Sequence, residues 1–158
     1  MKRTATVALA FAAFTVASGQ VNPCTSGYEN LSTDPMMPEC FKFVVTSKGS
    51  WATMRALCIA DGTDLAEPKG DLHSKVQQYI ILHPDLQDEG FWIGGTDAGH
   101  EGIWTWESDG VEMEMGYPDW YSGQPDGGYD ANYACLYPPE FLFHSCDNDI
   151  KIYALCQI

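Results

Sequence analysis

The sequence predicts a secreted, disulfide-cross-linked domain in which two amphipathic helices need a sheet to lie against and the C-terminal half is short strands and loops. Three observations predict it. A basic and then apolar N-terminus reads as a leader, six cysteines follow it, and the hydrophobic period changes from helical to strand-like near Phe91.

Taken in order, Lys2 and Arg3 precede an apolar run from Ala5 to Ala17, and the small residues Ala17, Ser18 and Gly19 close it. This is the pattern of a cleaved signal peptide over residues 1–19, and it places the mature chain outside the cell. The run is shorter than the ~20 apolar residues that span a bilayer, and no second run follows, so no membrane span is expected. Residues 20–158 suit one domain with its own core. In an oxidising compartment Cys24, Cys40, Cys58, Cys135, Cys146 and Cys156 imply three disulfides, and the residues alone leave all 15 pairings open. Zinc is the competing use of cysteine, but no Cys-x-x-Cys pair or Cys/His cluster stands at ligand spacing. Loss of Lys2 and Arg3 takes the formal charge from −14 to −16. That excludes nucleic acid as a natural partner. Surplus carboxylates fit plain solubility, calcium or a mineral surface equally well.

Trp51, Met54, Leu57 and Cys58 recur at helical spacing, and Asp61-Gly62 closes this first helix. Leu72, Val76, Tyr79 and Ile80 mark a second, which Pro84 stops. From Phe91 onward come short strands, Phe91–Gly95 and Ile103–Trp106, then a turn at Ser108-Asp109-Gly110. Alternation returns at Ile150, Ile152, Ala154 and Cys156. Trp92, Ile93, Trp104 and Trp106 are assigned to the core, because a small domain needs large rings to bury area.

The stretch richest in chemistry is Trp120-Tyr121-Ser122-Gly123-Gln124-Pro125-Asp126. A cis X-Pro bond would aim the side chains of Gln124 and Asp126 the same way. A hard cation such as Ca²⁺ takes several oxygens, and Gln124, Asp126, Asp130 and Asn132 could supply them. Gly, Pro and Asp also make ordinary surface turns. No Ser/His/Asp arrangement, His-Glu-x-x-His motif or phosphate-cradling glycine loop is present, so an enzyme is not expected. Asn30-Leu31-Ser32 is an N-glycosylation triplet.

Trp51-x4-Ala56-x-Cys58, Gly62-x-Asp64-Leu65-Ala66, Val76-x2-Tyr79-Ile80, Phe91–Asp97, Glu101-Gly102-x-Trp104-x-Trp106 and Gly123–Asp126 stand in one order, followed by three spaced cysteines. In that order they resemble a C-type lectin domain over residues 20–158, of the long form found in secreted, single-domain, invertebrate-like lectins. The resemblance implies an α+β fold, two helices packed on short antiparallel sheets with a long irregular ligand-binding loop, with the pairs Cys58–Cys156 and Cys135–Cys146, and Cys24–Cys40 in an N-terminal hairpin over 24–40. It further implies a calcium ion held by Gln124 and Asp126, a galactose or N-acetylgalactosamine preference, and Tyr129 stacked on the sugar. Trp120 is expected to anchor the loop in the core.

Two departures bear on this. Before Cys146 the chain reads Phe141-Leu142-Phe143-His144-Ser145, so the family's Trp-Asn-Asp is absent, and Tyr133 stands where an acidic ligand is usual. Asp130 and Asn132 are the candidate substitutes; Asp147, Asn148 and Asp149 offer oxygens in the wrong register, and His144 reads as a packed side chain. With fewer oxygens calcium binds weakly. The expected function is a secreted pattern-recognition lectin of innate immunity that binds microbial or viral surface glycans, or cell-surface glycoproteins, and gains avidity as a homo-oligomer. The alternative is a calcium-independent lectin-like domain with protein or mineral partners.

Overall fold

In the computed structural model residues 22–34 and 36–158 are described, so the expected leader over residues 1–19 lies outside the described residues. Helix α1 spans Trp51–Ala60 and begins where the Ser50 hydroxyl accepts the Thr53 N–H. It ends at Asp61 and Gly62, the latter at φ +79°, a left-handed position that glycine takes without cost. Trp51, Met54 and Cys58 are its buried face. Leu57, read from spacing as part of that face, is 40% exposed because Cys58 holds the inward position. Helix α2 spans Asp71–Leu82 and buries Leu72, His73, Val76 and Ile80.

Among the described residues eight strands form one sheet: β1 (Glu29–Asn30), β2 (Cys40–Gly49), β3 (Asp64–Leu65), β4 (Phe91–Thr96), β5 (Thr105–Trp106), β6 (Tyr133–Tyr137), β7 (Leu142–Cys146) and β8 (Ile152–Gln157). The order is β1-β2-β8-β4-β6-β7, with β3 on β8 and β5 on β4. All six residues of β4 are buried, which follows from its parallel pairing with β8 on one side and antiparallel pairing with β6 on the other. The expected strand over Ile103–Trp106 shortens to β5, and its turn forms as read, with the Gly110 N–H donating to the Trp106 carbonyl. The ten-residue β2 escaped the sequence reading, although Phe41, Phe43, Val44 and Val45 are a strand signal.

The disulfides are Cys24–Cys40, Cys58–Cys156 and Cys135–Cys146, the pairing that the resemblance implies. Trp51, Trp92, Trp104, Trp106 and Trp120 are all buried, as expected of the core and of the loop anchor. Trp104 and Trp120 meet edge to face at 5.1 Å, and Trp120 also meets Phe143.

Two contacts hold the long loop between β5 and β6. On β7, the Phe143 N–H donates to the Asp119 carbonyl at 2.8 Å and the Tyr121 N–H donates to the Phe143 carbonyl at 3.0 Å, so residues 119–121 run along its outer edge. On α2, the buried His73 ring reaches Asp119 Oδ1 through Nδ1 at 2.8 Å and the Phe141 carbonyl through Nε2 at 2.9 Å.

Candidate functional site

The Gln124–Pro125 peptide is cis, and the two flanking side chains converge: Gln124 Nε2 donates to Asp126 Oδ1 at 2.7 Å. Ser145 on β7 fixes them from below. Its N–H and hydroxyl donate to Gln124 Oε1 at 2.8 and 2.9 Å, while its hydroxyl oxygen accepts the Asp126 and Gly127 N–H groups. A glycine is required at 127, since a Cβ there would lie 2.1 Å from that of Ala131.

Neither Asp130 nor Asn132 hydrogen-bonds to this pair. The Asp130 carbonyl accepts the Asn148 N–H, and Asn148 in turn accepts the Asn132 N–H and donates to the Tyr129 carbonyl. Asn132 instead lines a cavity of about 510 Å³ with Asp97, His100, Glu101 and Tyr129. Asp97 is 4% exposed and accepts the Gly102 N–H through Oδ2. Its Oδ1 and the Asn132 Oδ1 are buried without a donor. Partial desolvation and the neighbouring Asp97 carboxylate push Glu101 above its ordinary range. Tyr129 is 79% exposed at the rim.

Calcium fits these two places differently. At Gln124–Asp126 the amide oxygen is already bonded to Ser145, only one carboxylate is present, and the segment before Cys146 contributes Phe141 and Phe143 to the core rather than oxygens. That donor set does not fit a multi-oxygen calcium shell. At Asp97, Glu101 and Asn132, two orphaned buried oxygens and a second carboxylate are what a hard cation satisfies. Among the described residues no group of three or more His, Cys, Asp or Glu side chains gathers at ligand spacing. No spacing rule could have found this set, because Asn132 comes from a different loop.

His144 is packed, as read from the sequence. Its ring stacks on Tyr121 at 4.9 Å and 19°, with Tyr137 tilted against it at 5.8 Å. Burial holds the imidazole below its ordinary value, against the opposing pull of Asp126 and Glu140. Asn30 Oδ1 accepts the Ser32 and Glu39 N–H groups, leaving the residue partly exposed on β1.

Three comparisons bear on identity. The galactose-specific lectin nattectin of Thalassophryne nattereri is 41% identical over 93 residues, which are 55% of this chain and 52% of that protein. The chain spans about half the length of the first curated relatives it matches. The mouse scavenger receptor C-type lectin carbohydrate-recognition domain superposes with a TM-score of 0.68 at 24% identity, covering 85% of this chain and 97% of that one. A calcium-independent type II antifreeze protein superposes with a TM-score of 0.64 at 20% identity over 85% and 93% of the two chains. The lectin C-type domain profile matches residues 47–158, and the chain therefore belongs to the C-type lectin domain family.

Proposed function

We propose that this domain is an extracellular lectin that binds galactose or N-acetylgalactosamine through Gln124 and Asp126. One observation carries the reading: the hydrogen bonds of Ser145 and the contact between Gln124 and Asp126 hold an amide and a carboxylate together on the surface, where they can accept and donate hydrogen bonds to neighbouring sugar hydroxyls. The name of the relative nattectin, a galactose-specific lectin, supports the same sugar class. A leader over 1–19, a domain over 20–158 and three disulfides suit secretion. The surfaces it would meet are microbial or viral glycans and glycoproteins, in an innate-immune role, with oligomers supplying avidity. Asn30 is the glycosylation acceptor of this reading. It is a binding protein and not an enzyme.

Calcium belongs to this reading at Asp97, Glu101 and Asn132 rather than at Gln124. When bound there, the ion supplies the positive charge that these oxygens lack and braces the loop bearing Tyr129 against residues 97–101.

Retention on immobilised galactose and mannose, with calcium and after chelation, tests it. The expected result is galactose retention that is lost in Gln124→Ala/Asp126→Ala, and weakened alike by chelation and by Asp97→Asn. No retention of either sugar overturns it. That outcome favours the second reading, a calcium-independent domain with protein or mineral partners. Phe141 and Phe143 in place of oxygens and the calcium-independent antifreeze neighbour speak for that second reading.

A further inference from the structure

We propose that Tyr117 is a tyrosine O-sulfation site, modified as the chain passes through the secretory pathway. This rests on the reading of the chain as secreted.

An acceptor tyrosine must present its ring to solvent and yield its flanking backbone to the cleft of an enzyme. Of the eight tyrosines, Tyr28 is buried. Tyr79, Tyr121, Tyr133, Tyr137 and Tyr153 each lie against another aromatic or imidazole ring. Tyr117 and Tyr129 remain, 91% and 79% exposed. Their backbones separate them. Among the described residues the N–H groups of Met115, Gly116 and Tyr117 donate to no carbonyl, and this stretch is tied down through the Gly116 carbonyl, which accepts the Asp119 and Trp120 N–H groups. Tyr129 instead sits in a 3-10 turn, Gly128–Asp130, whose carbonyls at 129 and 130 are held by Asn132 and Asn148. It cannot enter a cleft without breaking those bonds.

Charge points the same way. Glu107 and Asp109 are taken by Arg55 and Lys69, whereas the exposed Glu112 and Glu114 pair with no cation among the described residues. No Lys or Arg stands between Lys75 and Lys151, a stretch that carries fifteen Asp and Glu. A transferase that binds an anionic sulfuryl donor needs a cationic cleft, and such a cleft draws in an acidic acceptor segment and repels a basic one. Five and three residues ahead of Tyr117, Glu112 and Glu114 are free to make that contact.

In the transfer the phenolic oxygen attacks the sulfur of a nucleotide phosphosulfate. The S–O bond to phosphate breaks, an S–O bond forms at Tyr117 Oη, the phenolic proton passes to a base of the transferase, and the nucleotide leaves with its phosphate. No group is oxidised or reduced. The product adds one fixed negative charge to a stretch already without Lys or Arg, and so strengthens its pull on cationic proteins.

The full chain expressed in vertebrate cells and recovered from the medium tests this by mass spectrometry. Cleavage after Glu114 and before Asp119 separates the Tyr117 peptide from those of Tyr121 and Tyr129. That peptide should carry a sulfate that resists phosphatase, disappears in Tyr117→Phe, and disappears when chlorate starves the cells of the sulfuryl donor. Tyr129→Phe should leave it in place. Glu112→Gln/Glu114→Gln should lower occupancy roughly tenfold, the low end of electrostatic steering. Thermal melts should match the wild type for Tyr117→Phe, since the ring is exposed. Secreted protein with a bare Tyr117, a sulfate on Tyr129 alone, or a mark that phosphatase removes overturns the proposal and leaves the secreted reading standing. If no chain reaches the medium, both fall.

Discussion

His73→Leu should unfold the long loop's attachment before anything else. The His73 side chain is 2% exposed and its Asp119 partner 16%, so neither can fall back on water. Both ring nitrogens face acceptors, Asp119 Oδ1 at 2.8 Å and the Phe141 carbonyl at 2.9 Å, and the ring stacks on Phe143 at 4.2 Å. Leucine fills a similar volume but donates nothing. It leaves a largely buried carboxylate and a buried carbonyl without their donor, and breaking a buried pair in this way costs about 3–5 kcal/mol. For a domain of this size that is a fall in Tm of roughly 10–20 °C. Thermal unfolding followed by near-UV circular dichroism reads it, and the Asp119→Asn and double variants complete a cycle. The double variant should cost less than the two singles together, by about 0.5–3 kcal/mol. A fall of less than ~3 °C for His73→Leu, or strict additivity, would refute the argument that this pair carries the loop.

Ser145→Ala removes the hydroxyl that bonds Gln124, Asp126 and Gly127, so it should cost about 1–3 kcal/mol and weaken galactoside binding, both read by titration calorimetry beside thermal melts. Gly127→Ala drives a Cβ to 2.1 Å from that of Ala131 although the backbone at φ −88° accepts alanine, and the displaced turn should lower stability by about 1–3 kcal/mol in denaturant titration. Calcium at about ten times its Kd should add ~1.4 kcal/mol to the wild type, a rise of a few degrees in Tm, and nothing to Asp97→Asn. Because burial holds His144 below 6.5, the unfolded chain takes up that proton first as the pH falls. Stability is then full above about pH 6.5 and declines below it, and His144→Phe should show the shallower decline between about pH 7 and 5 in melts across that range.

What could be read from the sequence is what is written locally. Trp51, Met54 and Cys58 repeat within one helix, and Gln124-Pro125-Asp126 carries its turn within three residues. Both helices, the core tryptophans and the cis bond follow from neighbours in the chain. The disulfide pairing needed the ordered motifs as a set, since six cysteines alone leave it open. The rest depends on residues that meet only after folding. His73 and Asp119 are 46 positions apart, and Ser145 lies 21 from Gln124. Asp97 and Asn132 belong to separate loops, so their orphaned oxygens left no trace in any spacing. Tyr129 follows Gln124-Pro125-Asp126 closely in the chain, yet its neighbours across the cavity, Asp97 and Glu101, come from another loop. Leu57 shows the converse limit: periodicity named a face, and the wide side chain at its border stayed outside.

Residues 119–121 lie along β7, the last strand of the sheet, and occupy the hydrogen-bonding groups that it would otherwise offer to solvent. An uncovered outer strand is a template for another chain. The loop that presents Gln124 therefore also covers the edge on which another chain's strand could add, and the two duties constrain its sequence separately. A lesion at Asp119 or Trp120 should show itself first as aggregates on storage or during expression, with the soluble remainder still competent. A lesion at Gln124 should leave the yield of soluble protein unchanged and remove only the galactose retention.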